Sequence, residues 1–340
     1  MDKIITFTLR KFMTLKSIKY MKQLLLVISI VMISGRSLYS QDLEFTQFYA
    51  NPLYLNPAFA GSHGCPRFAA IHRDQWTNIS GSYISTSLSY DQYFKNISGG
   101  FGIVCMNDVQ AKTINTTTGS LIYSYHINLG RKWTLMFGAK ATWCQKFLAW
   151  DKLTFGDQID PFKGFIYATG DKKRGGSRGF FDVGSGAVLF NKHFNIGAAA
   201  YHLAQPNESM ILGENSKLPM RITAHASANI TLGGKSKYSS SSVLMPSIIW
   251  TYQNGFYQMN VGTYLKYGNF TMGAWYRSKD AFILTFGINT GKFKLGYSYD
   301  VTTSRLNNGV SGGSHEISLG LNLICKNKPQ KFRTIACPSF

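Results

Sequence analysis

The sequence predicts an all-β fold, a transmembrane antiparallel β-barrel of about 14 strands with long loops on the extracellular rim. Three observations carry that reading. The 340 residues are 44% hydrophobic and 14% aromatic but only 15% charged, well below the ~25% of soluble domains. From residue 67 onward the chain breaks into segments of alternating polarity, parted by Gly, Asn, Asp and Ser clusters. The connections between those segments run alternately long and short, as in a bacterial outer-membrane barrel. The net charge of +20, from 36 basic and 16 acidic side chains, does not point to nucleic acid. Basic chains of that kind carry lysine runs and few aromatics.

Residues 1–40 read as a signal peptide. Met21-Lys22 precedes an unbroken apolar run from Leu24 to Ile33, and small and polar residues follow to Ser40. That run is about half the ~20 residues a membrane helix needs. Met13 and Met21 are alternative starts, and cleavage after Ser40 leaves Gln41 at the front of the mature chain. No later stretch is apolar for long enough to form a membrane helix, so the exported chain must meet its membrane another way.

Residues 41–66 form a proline- and aromatic-rich lead, expected outside the barrel on the periplasmic side. Asn51-Pro52 and Asn56-Pro57 favour turns, since each proline fixes φ and removes a donor. Phe45, Phe48, Tyr49, Tyr54 and Phe59 then need a surface to pack on, and the barrel's periplasmic mouth or its lumen is the nearest. Phe45, Gln47, Tyr49, Asn51, Pro52, Asn56, Pro57, Phe59 and Gly61 are therefore candidates for binding a partner or for plugging the barrel.

The barrel is expected over residues 67–325. Strands are expected at 67–75, 82–91, 98–107, 113–127, 131–147, 180–190 and 193–201. Seven more follow at 218–231, 242–252, 256–267, 269–278, 281–290, 292–300 and 313–325. The segment from Lys132 to Phe147 shows why. Trp133, Leu135, Phe137, Ala139, Ala141 and Trp143 share one face, and Lys132, Thr134, Gly138, Lys140, Thr142, Cys144 and Lys146 share the other, with Met136 the apolar exception. The two tryptophans are spaced to span roughly 25 Å on a tilted strand, the height of an outer-membrane apolar band. The three longest connections follow strands five, seven and thirteen, all odd. Long loops on one rim and tight turns on the other place both termini in the periplasm. A basic tail, 326–340, ends the chain.

Catalytic constellations are missing from the pattern. His72-Arg73-Asp74 imitates a kinase loop without its glycine-rich partner, and Gly99-Gly100-Phe101-Gly102 lacks the third glycine and helix of a dinucleotide site. The seven histidines are scattered singly, so neither a metal nor another cofactor is expected. Lys132, Lys140, Lys146, Arg221, Lys266, Lys292 and Lys294 fall on the expected lumen face, which makes a porin-like anion channel the rival to an interaction protein. A secreted soluble β-protein is a third option, which the strand length disfavours. Of five cysteines, Cys325 and Cys337 flank the tail and are candidates for a disulfide, Cys65 competes for a partner, and Cys105 and Cys144 lie within strands.

The opening Gln47-Phe48-Tyr49, then Asn56-Pro57-Ala58-Phe59-Ala60-Gly61, the Arg73-Asp74-Gln75-Trp76 of the first strand, and Cys337-Pro338 near the end strongly resemble the PorP/SprF family. These are outer-membrane proteins tied to the type IX secretion system of Bacteroidetes. The resemblance runs through the whole mature chain, while the extended N-terminus and odd cysteine count depart from it. It implies an integral outer-membrane barrel that is not an enzyme. It further implies partners among secretion and gliding-motility components and large adhesins bearing a type B C-terminal sorting domain, with outer-membrane lipid around the wall.

Overall fold

The computed structural model describes residues 42–130, 132–160, 162–170, 175–211, 213–232, 242–303 and 308–323. The expected signal peptide and basic tail lie outside them. Each wall strand pairs antiparallel with its chain neighbours. In order they are β1 (Arg67–Gln75), β2 (Tyr83–Phe94), β3 (Gly99–Gln110), β4 (Ile114–Leu129), β5 (Trp133–Leu148), β6 (Ser177–Phe190) and β7 (Phe194–Tyr201). Then come β8 (Arg221–Ala228, resuming as Ile230–Leu232), β9 (Ser242–Gln253), β10 (Phe256–Tyr267), β11 (Phe270–Arg277), β12 (Ala281–Asn289), β13 (Phe293–Thr302) and β14 (Ser314–Asn322). β1 and β14 close the wall in a register running from Arg67 opposite Asn322 to Gln75 opposite Ser314. The fourteen-strand barrel expected from the sequence is the fold.

Strand alternation explains both faces of the wall. On β12, Phe282, Leu284, Phe286 and Ile288 point outward and are exposed, while Ala281, Ile283 and Thr285 point inward and are buried. On β5, Trp133, Phe137 and Trp143 face out, and Met136, Gly138, Thr142 and Cys144 face in. A continuous apolar exterior of this kind is stable only against lipid. Among the described residues no helix is long and apolar enough to cross a membrane, and the strands make the crossing.

Two local features differ from the sequence reading. β8 breaks at Asn229, because Ser227 pairs with Ser247 and Ile230 with Leu244, leaving Pro246 in the gap of the facing strand. A proline offers no N–H to the ladder, so the pairing lapses there. The long connection after β5 also carries a small hairpin, Ile159–Asp160 with Gly164–Phe165. Asp160 Oδ1 accepts the backbone N–H groups of Phe162 (2.8 Å) and Lys163 (2.9 Å), which closes the turn.

Candidate functional site

The lead does not lie beneath the barrel. Residues 42–61 run through its lumen, where wall side chains from nearly every strand surround them. Phe45, Gln47, Tyr49, Asn51, Pro52, Asn56, Pro57, Phe59 and Gly61 are all buried. The physical reason is apolar surface: a segment with this many aromatics gains most where it can be covered on all sides.

Its local shape follows from the two Asn-Pro steps. Each places proline at the first position of a short helical turn, Pro52–Leu55 and Pro57–Phe59, where the missing N–H costs nothing. Asn56 Oδ1 accepts the N–H of Ala58 at 2.9 Å and so caps the second turn. Its Nδ2 donates to the carbonyls of Ala198 (3.0 Å) and Ala187 (3.2 Å), bolting the turn to β7 and β6.

Near the start of the lead, Thr46 and Gln47 meet a buried cluster of paired charges. Arg73 of β1 holds Asp300 of β13 (2.9 Å) and Glu316 of β14 (3.3 Å), and Arg277 of β11 reaches Asp300 at 3.1 Å. The backbone N–H groups of Thr46 (2.7 Å) and Gln47 (2.8 Å) donate to the two oxygens of Glu316. Thr46 Oγ1 accepts from Arg277 and Arg73 and donates to Asp300 at 2.9 Å. Arg277 also meets Asp280 (3.3 Å) and Glu44 of the lead (3.8 Å), and this direct pairing offsets the desolvation that makes buried ions costly. The lead supplies the remaining donors.

Apolar contacts fill the middle. Tyr49 packs with Met245, Ile249, Tyr264, Trp275 and Ile283. Ala58 and Phe59 pack with Met136, Val188 and Phe190, and Leu53 and Ala60 with Val104 and Ile122. Close approach needs small wall residues. A Cβ on Gly138 would stand 2.3 Å from the backbone N of Ala58, and one on Gly186 would stand 2.2 Å from Asn56 Oδ1. Where the lead leaves the lumen, Asp91 accepts the Gly61 N–H at 2.8 Å and pairs with Arg67 at 2.8 Å.

The amino end is pinned by a polar lock. His202 Nε2 lies 2.6 Å from Asp42 and its Nδ1 lies 2.8 Å from Asp182. Gln253 Nε2 donates to Asp42 at 3.2 Å, and Arg221 stacks between Tyr54 and Tyr201 while donating to Asp42 at 3.4 Å. Burial alone would lower the His202 pKa, but the carboxylates of Asp42 and Asp182 outweigh it and raise the value from 6.5 to about 9. A base raised in the fold gives its full stabilisation below pH 6.5 and loses it as pH climbs through about 9. His63 acts oppositely: burial, with Arg67 and Lys294 close by, lowers it to about 4, so the fold loses stability as pH falls below 6.5. Thermal unfolding in lipid should therefore weaken by on the order of 3 kcal/mol between pH 7 and 10 through His202. His202→Gln should remove that particular alkaline decline; an undiminished decline in the variant would assign it elsewhere.

The cationic residues read as lumen-facing are not one open lining. Arg221 is buried in the lock, Lys140 lies 5.5 Å from the Tyr201 ring centre, and Lys146 pairs with Glu208. Lys266 and Lys294 are half-buried in strands, whereas Lys132 and Lys292 are exposed in short turns. Cys65 is disulfide-bonded, and Cys105 and Cys144 are free thiols in β3 and β5. Cys325 and Cys337 lie outside the described residues. Among the described residues no cluster of His, Cys, Asp and Glu could hold a metal ion.

Several residues that fasten the lead were not picked out as site residues from the sequence. Arg73 stood in the Arg-x-Gln-Trp motif of the first strand and in a false kinase-like triplet, with no role in either; His72 points away from it and meets Thr86 at 2.9 Å. Its signal, with Asp300 and Glu316, is a charge on the inward face of a strand.

A family model described as type IX secretion system membrane protein PorP/SprF matches residues 37–321. No curated protein matches the chain. Among solved structures, Acinetobacter baumannii outer membrane protein Omp33 is 8% identical, over 77% of this chain and 100% of its own, with a TM-score of 0.44. The CymD monoaromatic hydrocarbon channel is 11% identical over 82% and 94%, with a TM-score of 0.43. A Pseudomonas aeruginosa FadL homologue is 12% identical over 85% and 96%, with a TM-score of 0.40.

Proposed function

Because this chain belongs to the PorP/SprF family of type IX secretion system membrane proteins, we propose that it supports the secretion or cell-surface attachment of a large adhesin bearing a type B C-terminal sorting domain. It is an integral outer-membrane protein associated with type IX secretion. Its work is non-catalytic, done by contact with the exported adhesin and with machinery components, including those of gliding motility. The signal peptide ends at residue 40, the long connections face the medium, and the basic tail lies in the periplasm.

The observation that carries this reading over the anion channel is the lead itself. Three apolar clusters and two buried polar networks hold it across the lumen. A standing pore needs an open path, which a segment fixed across the lumen does not leave, whereas a contact protein gains a rigid base for the loops that meet a partner. Deleting the gene should strip one large adhesin from the cell surface and leave it in the medium or the periplasm. Replacing Asn56, Pro57 and Phe59 together should reproduce that loss while the barrel still assembles. Untouched surface adhesins together with slowed uptake of small anions would favour the channel.

A further inference from the structure

We infer that the lead is threaded through the barrel with its amino end at the rim of the long connections, so that this end belongs to the surface those connections build. The strands fix the direction. Odd-numbered strands end, and even-numbered strands begin, at the rim carrying connections 149–176, 202–220 and 303–313. Asp42 is held by His202, the first residue after β7, by Arg221, the first of β8, and by Gln253, the last of β9. All three belong to that rim. Thr46 meets Arg73 and Asp300, each two residues before the end of β1 and β13, and Arg277, the last residue of β11.

The other end of the lead meets the opposite rim. Phe59 packs on Phe190, the last residue of β6, and on Met136, near the start of β5. The Ala60 carbonyl accepts from Ser124 Oγ at 2.5 Å on the lower half of β4. Gly61 donates to Asp91 near the end of β2, and a Cβ on it would stand 2.6 Å from Cα of Gly100 at the start of β3. From there the chain enters β1. Between these ends, residues 42–61 descend from the long-connection rim to the short-turn rim, and the chain then climbs back as the first strand. Asp42 at the long-connection rim departs from the periplasmic placement of the lead that strand parity suggests.

The consequence concerns the partner surface. A protein seated on the long connections also meets Asp42 and its lock, and can grip or loosen the lead from outside. The identity of that protein rests on the function proposed above; the path of the lead does not.

The test compares sidedness within one chain. Leu43→Cys, Phe162→Cys and Asn269→Cys are labelled on intact cells with a membrane-impermeant maleimide, with the label located by mass spectrometry. Phe162 is 97% exposed in the connection after β5, and Asn269 is exposed in the short turn after β10. A parallel strain carries an epitope between Gln41 and Asp42, because Leu43 is half-buried and its thiol can react slowly. The epitope and Leu43→Cys should share the accessibility of Phe162→Cys, whichever side that proves to be. An epitope that shares the accessibility of Asn269→Cys would overturn the threading, and would do so without bearing on whether an adhesin is the partner.

Discussion

Replacing Arg73 with alanine is expected to cost about 3–5 kcal/mol, the range found when one partner of a buried ion pair is removed. Arg73 is 1% exposed and bridges Asp300 and Glu316, so its loss takes the paired cation from Glu316 and leaves Asp300 sharing Arg277 with Asp280 and Glu44. It also removes one donor to Thr46 and so loosens the lead. Urea titration of the protein in lipid vesicles, followed by the electrophoretic shift between folded and unfolded barrel, reads the change. Arg73→Ala combined with Asp300→Asn should cost less than the two single changes added, since the second removes the charge the first strands. A single-variant cost below ~1 kcal/mol would mean that the cluster is solvated and does not fasten the lead.

Gly138→Leu and Gly186→Leu are expected to drive the lead from its seat while leaving the wall intact. Both glycines face inward on β5 and β6, and both would place a Cβ well inside contact distance of the lead. Overpacking typically costs ~1–3 kcal/mol, which corresponds to roughly a 5- to 150-fold increase in the displaced population. Chymotrypsin offers the readout, because Phe45, Tyr49 and Phe59 are shielded in the native barrel. Cleavage within residues 45–59 should accelerate by that factor in both variants. Gly119→Leu is the control: that glycine lies on the exposed face of β4, and a Cβ there would have nothing within 4 Å. Equal cleavage in all three variants would mean that the inward glycines make no room for the lead.

Much of the wall could be read from the sequence because a membrane barrel obeys a local rule. Each inward residue is followed by an outward one, and lipid demands apolar side chains on every outward position. The alternation from Trp133 to Trp143 was enough to place β5 and its register. Strand ends were less legible: β2 and β3 run on to Phe94 and Gln110, through Gln92-Tyr93-Phe94 and Asp108-Val109-Gln110, which are too short to carry an alternation signal. The break in β8 depends on which residue lies opposite Pro246, which is a fact of register rather than of local sequence. The motif of the lead stood out by composition, yet its place inside the barrel did not, because its contacts with the wall join residues far apart in the chain. Thr46 with Asp300 and Asn56 with Ala198 are examples. What the lead needed from the wall was visible in single positions, Gly138 and Gly186 among them, but a glycine in a strand has several explanations until the neighbour is known.

The lumen is occupied by the protein's own lead, and the function proposed for the molecule rests on its surfaces rather than on conduction. Electrical recording on the full mature chain in planar lipid bilayers tests this most directly. The expected result is no steady open state in the wild-type protein at moderate voltage, with conductance appearing in Gly138→Leu or Gly186→Leu. A persistent, anion-selective conductance from the wild-type protein, unchanged in those variants, would contradict it.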